Sequence, residues 1–396
     1  MNNICIIGGC GHIGLPLGII LAKAGHQVTL VDIDKEAVDL VNSGVMPFIE
    51  NGTEEILKKL INANQIGATT DLSVIANSSI IITTLGTPVD EFQSPVPRIF
   101  VDFLNSIKGG LRSDQLFILR STVYPGTSRW MANQLEHYGV DLAFCPERIT
   151  QGNAMIEIYE LPQIVSGATP RAVERASELF RNIGIKIVDC TIEEAELAKL
   201  YLNAFRYAQF AISNEFYRIA IENGLDYSKI YNVMTSDYKR GSAIPKAGLA
   251  AGPCLLKDTQ QLIAFSNNTF LAGNAAVLAN EGLPMVLIRQ LESMIDLRTA
   301  TVGILGMAFK SNSDDIRSSL SYRLKKLLQI RSKLVLTTDP YVSKDANLLS
   351  VIEVIDRSDI LVICTPHSEY KSLNLSGKKV LDIWGVTSTK LKANSK

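Results

Sequence analysis

The chain has no C-x-x-C pair: its six cysteines stand apart at 5, 10, 145, 190, 254 and 364. With 396 residues the chain needs no disulfide staples, so reduced thiols in a cytoplasmic protein are expected, and no bound metal. Charge of one sign is also missing. The formal net charge is -1, so no bulk field draws the protein to nucleic acid or to an anionic membrane, and an anionic ligand must be held by local positive groups. Low-complexity linkers are absent. The most apolar early stretch, Ile4 to Ala22, is broken by glycines and His12 and has no basic flank, so it reads as strand, turn and helix rather than a signal or membrane span. What remains, 46% hydrophobic and 20% charged residues, is the composition of a soluble globular protein with two or three cores.

Periodicity gives the organisation. Ile4–Ile7, Gln27–Val31, Ser79–Thr84, Phe117–Arg120 and Asp141–Phe144 are predicted strands, alternating with helices over Ile13–Ala24, Asp34–Ser43, Thr53–Asn64 and Ser128–Tyr138. Apolar runs without alternation indicate strands covered on both faces, hence a parallel sheet. Ile192 to Asn223 carries a helical pattern with neither Pro nor Gly, long enough to join two domains and to form a dimer core. From Thr299 a second α/β pattern follows, with strands at Thr301–Leu305, Leu334–Thr338, Asp359–Cys364 and Lys379–Ile383. The segment Ser358–Pro366 echoes Ser78–Pro88. The fold class is therefore α/β: two Rossmann-like, doubly wound domains (1–190 and 298–396) joined by a long central helix and a helical middle domain (191–297). The last few residues are expected to fray.

Gly9-Cys10-Gly11-His12-Ile13-Gly14 follows a strand and opens a helix, and Asp32 closes the next strand. Glycines there allow a tight turn and close approach of a pyrophosphate to backbone amides. The carboxylate accepts from ribose hydroxyls and repels a 2′-phosphate, which favours NAD over NADP. Thr87, in Gly86-Thr87-Pro88, and Thr122, in Ser121-Thr122, follow later strands, where ligands bind in open parallel sheets or where a hydroxyl simply caps a turn. Glu147, in Pro146-Glu147-Arg148, stands where a general base would, or forms an ion pair with Arg148 or another neighbour. Lys199 and Asn203 share a helix face that Arg206 continues, offering donors to a developing oxyanion. Cys254 and Asp258 frame a loop that Gly248 and Gly252 make adaptable and Pro253 stiffens. A thiol near a nicotinamide can trap an aldehyde between two oxidations, with Lys257 or Lys199 helping its ionisation. Near the last domain's first strand, Lys310 and Arg317 could meet a diphosphate, beside an unusual pair, Asp314 and Asp315.

Together these motifs resemble the UDP-glucose/GDP-mannose dehydrogenase family, from Gly9 to about Gly385. Ser121–Thr127 is similar to S-T-V-x-P-G-T. Cys145–Arg148 is similar to the P-E-R form of the UDP-N-acetylmannosamine and UDP-N-acetylglucosamine branches. Leu197–Asn203 is similar to the central K-x-x-x-N, Gly252–Asp258 to the nucleophile loop, and Gly306–Arg317 to G-x-A-F-K…D-D-x-R. The resemblance implies a two-step, four-electron oxidation of a UDP-sugar C6 alcohol to the uronate, with NAD as acceptor. Cys254 would form the thiohemiacetal and thioester, Lys199 and Asn203 would hold oxyanions, Glu147 would activate water, and Thr122 and Asp258 would position it. Gly9, Gly11, His12, Ile13, Gly14, Asp32, Thr87, Thr122, Lys257 and Arg317 would contact the cofactor. Glu147, Lys199, Asn203, Arg240, Gly252 and Lys310 would contact the sugar nucleotide, Arg240 from the partner subunit of a homodimer built on the central helix. Pro253 and Leu256 depart from the family's usual residues beside the nucleophile, which leaves the sugar open. A single-step β-hydroxyacid-type dehydrogenase, which would need neither Cys254 nor the last domain, is the alternative enzyme reading. An inactive NAD and nucleotide-sugar binding protein is the non-enzymatic one.

Overall fold

The structure is a computed structural model that describes residues 1–91, 94–250 and 252–387. Ala251 of the cysteine loop and the tail expected to fray lie outside the described residues. Strands β1 (Asn3–Ile7), β2 (Gln27–Val31), β3 (Ile66–Thr69), β4 (Ile80–Thr83), β5 (Leu116–Leu119), β6 (Asp141–Phe144), β7 (Gln163–Gly167) and β8 (Ile187–Asp189) form one sheet in the order β3-β2-β1-β4-β5-β6-β7-β8. Strands β9 (Thr301–Leu305), β10 (Leu334–Thr338), β11 (Ile360–Ile363) and β12 (Lys379–Asp382) form a second, in the order β10-β9-β11-β12. Every residue of β4, β5, β9 and β11 is buried, because helices cover both faces of a doubly wound sheet.

One expectation is corrected. The sheet is not wholly parallel: β7 runs against β6, pairing Ala143 with Gly167 and Phe144 with Ser166. Polar and glycine residues in β7 (Gln163, Ser166, Gly167) hide it from a search for apolar runs. The chain between Phe144 and Gln163 leaves and re-enters at the same carboxyl edge, so Glu147 stays at the edge where ligands bind in such sheets.

The chain divides into two compact units, residues 1–202 with 260–265, and 203–259 with 266–396. The central segment expected as a third domain is shared between them by this division. The long helix Ile192–Glu222 has residues in both. Among the described residues one helix, Leu271–Met294, is long and apolar enough to cross a membrane. Its buried Asn280 donates to Tyr207 O at 2.9 Å and accepts from Asn214 at 2.8 Å, polar contacts that fit a core helix of the second unit.

Candidate active site

In the first unit the glycine loop follows β1. A Cβ on Gly9 would lie 2.6 Å from Ile6 O, and one on Gly14 would lie 2.5 Å from Gly8 O, so both places exclude side chains. The positive φ falls one residue earlier, at Gly8, which the sequence reading passed over. No side chain caps the helix Gly14–Lys23, which leaves its positive end to an anion. Asp32 is half-buried. Its carboxylate accepts from the Cys10 amide at 3.0 Å and the Asp34 amide at 3.1 Å. An acid at the loop's edge, glycines that admit a close ligand and an uncapped helix fit NAD. His12 stacks on Phe48, ring centroids 4.0 Å apart. Thr87 donates to Thr122 O at 2.7 Å, tying the turn after β4 to the turn after β5.

Glu147 is buried and ion-paired, but with Arg120 at the end of β5 rather than with its neighbour Arg148. It also accepts the backbone amides of Arg148 and Ile149, at 2.6 and 2.8 Å. Arg120 donates to Gln163 at 2.9 Å and lies 5.4 Å from the centroid of Phe180. Burial pulls the guanidinium down in pKa. A further carboxylate, Glu196, reaches from the long helix to the Gly126 and Ser128 amides at 2.6 and 2.8 Å. It thereby caps the helix Thr127–Glu136, which has a left-handed glycine as its cap residue. Burial pushes the Glu196 carboxyl up in spite of those bonds. Lys199, one turn further along, is half-buried.

In the second unit Cys254 immediately precedes the helix Leu255–Phe265, and its carbonyl accepts the Asp258 amide at 2.9 Å. A thiol at a helix N-terminus is favoured as thiolate. The pKa of Arg317 is raised mainly by the hydrogen bond to Asp315 and additionally by the charge of Cys254. Cys254 is the exposed cysteine among the described residues. By contrast, burial pushes Cys5, Cys10, Cys145 and Cys364 up to about 12, and Cys190 is also raised by burial. Asp258 is fully buried, accepts from Asn203 and pairs with Lys257 at 2.6 Å. Gly252 has φ +110°, and a Cβ there would lie 2.6 Å from the Phe309 ring. The cysteine loop therefore rests on the Gly306–Lys310 loop. Asn214 anchors its start, accepting from Gly248 N at 2.8 Å.

The structure thus brings Asn203, Asp258 and Lys257 together, and Gly252 with the loop carrying Lys310. Arg240 is exposed, and Arg206 is exposed although Asn203 on the same helix is buried. The puzzling Asp315 proves to be Arg317's partner, at 2.6 Å. Sequence reading missed Arg120, Glu196, Asp339 and His367 as site-shaping residues. Arg120 carried a signal, a charge at the end of an otherwise apolar strand. So did Asp339, an acid closing β10 as Asp32 closes β2.

A dinucleotide-binding sheet, a helix carrying Lys and Asn, a thiol at a helix start and a second nucleotide-type sheet define an NAD-linked dehydrogenase with a separate domain for its substrate. Comparison with known proteins gives the same class. The NAD-binding domain of the UDP-glucose/GDP-mannose dehydrogenase family matches residues 2–184, its central domain 193–280 and its UDP-binding domain 303–389. The UDP-N-acetyl-D-mannosamine dehydrogenase of Pyrococcus horikoshii is 29% identical, covering 92% of this chain and 90% of its own. The UDP-glucose 6-dehydrogenase YwqF of Bacillus subtilis is 27% identical, covering 94% and 90%. The solved UDP-N-acetylmannosamine dehydrogenase from Pyrococcus horikoshii superposes with a TM-score of 0.88 at 26% identity, over 97% of this chain and 99% of that one. The chain belongs to the UDP-glucose/GDP-mannose dehydrogenase family.

Proposed function

We propose that this protein oxidises the C6 alcohol of a UDP-hexose or UDP-N-acetylhexosamine to the carboxylate in two steps, through a covalent bond to Cys254. The observation that carries the reading is the contrast among the thiols: one is exposed at a helix start near a guanidinium, while four are sealed in cores. Bound NAD supplies the hydride acceptor for each oxidation. Loss of a hydride and a proton turns the alcohol into an aldehyde. The Cys254 sulfur adds to the carbonyl carbon, and the oxygen that takes the charge is met by Lys199 and Asn203. Loss of a second hydride leaves a thioester. Glu147, held in place by Arg120 and two amides, activates the water that displaces the sulfur, and Thr122 and Asp258 position it. Lys257 and Arg317 serve the cofactor, while Arg240, Gly252 and Lys310 serve the sugar nucleotide.

The family relatives named above act on different sugars, and the P-E-R form of Pro146-Glu147-Arg148 favours an N-acetylhexosamine. Reduced thiols support a cytoplasmic setting. A homodimer through the long helix is supported by an apolar stripe on its surface: Phe205, Ile212, Phe216 and Ile219 are between 42% and 63% exposed. Replacing Phe205 and Ile212 by Glu should halve the mass seen by light scattering. The reaction is tested by counting NADH over a panel of UDP- and GDP-sugars. Two NADH per sugar, with acid formation lost in Cys254→Ser, supports the reading, and one NADH per sugar points to a single-step dehydrogenase.

A further inference from the structure

The loop that meets the cysteine loop is held by a buried pair that no step above uses. Asp339, at the end of β10, accepts the Met307 and Ala308 amides through one oxygen, at 2.7 and 2.9 Å. Its other oxygen accepts the Tyr341 amide at 2.9 Å. His367, just past β11, lies 3.0 Å from Asp339 through Nε2 and accepts the Asn312 amide at Nδ1, at 3.0 Å. An amide N–H can point only at an unprotonated nitrogen, so the ring proton sits on Nε2 and is donated to Asp339. Neither side chain has any exposed surface. Thr365 donates to Ala308 O at 2.6 Å, and a Cβ on Gly306 would lie 2.5 Å from Thr365. Both ends of the loop are therefore fastened to the second sheet: at the Asn312 end His367 holds the backbone amide, while the Ser368 amide and hydroxyl donate to the Asn312 side chain at 3.0 and 3.1 Å. Between the fastened ends stand Phe309, on which Gly252 rests, and Lys310.

We propose that His367, locked as the Nε2–H tautomer between Asp339 and the Asn312 amide, is a positioning residue. It sets the shape of the Gly306–Asn312 loop, and so the seat of the Gly252–Cys254 segment and the reach of Lys310. The Lys310 part rests on the UDP-sugar reading, while the seating of Cys254 does not.

Two readouts separate those parts: the rate at which iodoacetamide alkylates Cys254, followed by peptide mass spectrometry, and the KM values for NAD and for UDP-glucose or UDP-N-acetylmannosamine. His367→Phe should change the alkylation rate about fivefold or more and raise the sugar-nucleotide KM about tenfold, with the NAD KM within about twofold of wild type, as expected for loss of one or two buried hydrogen bonds. His367→Asn, which keeps an acceptor toward Asn312, should recover most of both effects. His367→Gln, which reaches Asp339 but leaves the amide unpaired, should not. If the Phe variant fails to fold, the Asn and Gln variants decide: equal behaviour overturns the proposal, and Asn alone near wild type supports it. A folded His367→Phe with unchanged alkylation also overturns it. If wild type turns over neither sugar nucleotide, the substrate reading fails, while the alkylation rates still decide the role of His367.

Discussion

The two sheets of this protein carry the same device and use it oppositely. In each, a strand ends in glycine (Gly8 after β1, Gly306 after β9) with positive φ, and the next strand ends in aspartate. Asp32 is half-buried, with one oxygen on the Cys10 amide of the loop and the other on the Asp34 amide, so part of its carboxylate still faces solvent. Asp339 is sealed, binds two loop amides with one oxygen and takes His367 as well. Topology therefore does not assign the acid its work. What the turn after the later strand supplies does: Thr84 donates to the backbone at Ile7 and Gly8 in the first sheet, while His367 reaches the acid itself in the second. The first sheet keeps an open edge for a ligand, and the second converts that edge into a brace for a loop. The sealed charge of the first sheet lies elsewhere, in Arg120 and Glu147.

That contrast can be broken by mutation. The largest effect is expected for Arg120→Met, which strands Glu147 without its counter-charge: a loss of about 3–5 kcal/mol in denaturant unfolding. Asp339→Ala comes next, with a loss of about 2–4 kcal/mol from unpaired buried donors. Its pH dependence is specific. Burial opposes the Asp339 charge, but the His367 contact and the loop amides outweigh it and hold the carboxyl below its usual range. A depressed acid stabilises above its unfolded value, about pH 4, and loses that contribution as pH falls through the folded value. The gap between wild type and Asp339→Ala should therefore narrow on acidification below about pH 4. Asp32→Ala should leave unfolding nearly unchanged and raise the NAD KM by about 10- to 100-fold, about 1–3 kcal/mol. If it destabilises as much as Asp339→Ala, the two acids share one job. The smallest effect is expected for Glu196→Gln, about 1 kcal/mol from a weakened cap, seen in unfolding midpoints.

Much of this was legible in residue patterns. The strands β1, β2, β6, β9 and β10 are rich in β-branched and other apolar residues, and their predicted bounds agree with the structure to within a residue. The long helix is equally plain, since no Pro or Gly interrupts it. The shorter strands β3, β7 and β8 were not legible, because glycine and polar residues within them erase the periodic signal and only pairing with a neighbour stabilises them. Cys254, Asn203 and Asp258 announced themselves by chemistry in an unusual loop or on an apolar helix. Glu196 and His367 did not, because their partners lie 68 and 28 residues away or more, distances that only the folded chain closes, and Arg120 showed only as a charge ending an apolar strand, with no sign of its partner Glu147.

The central claim is a sugar carried on sulfur. Acid quenching of Glu147→Gln during turnover, followed by digestion and mass spectrometry, tests it directly. We expect the peptide containing Cys254 to carry an added uronyl thioester, absent in Cys254→Ser. Turnover to acid at the wild-type rate with no adduct on that peptide, or with normal acid formation in Cys254→Ser, would contradict it.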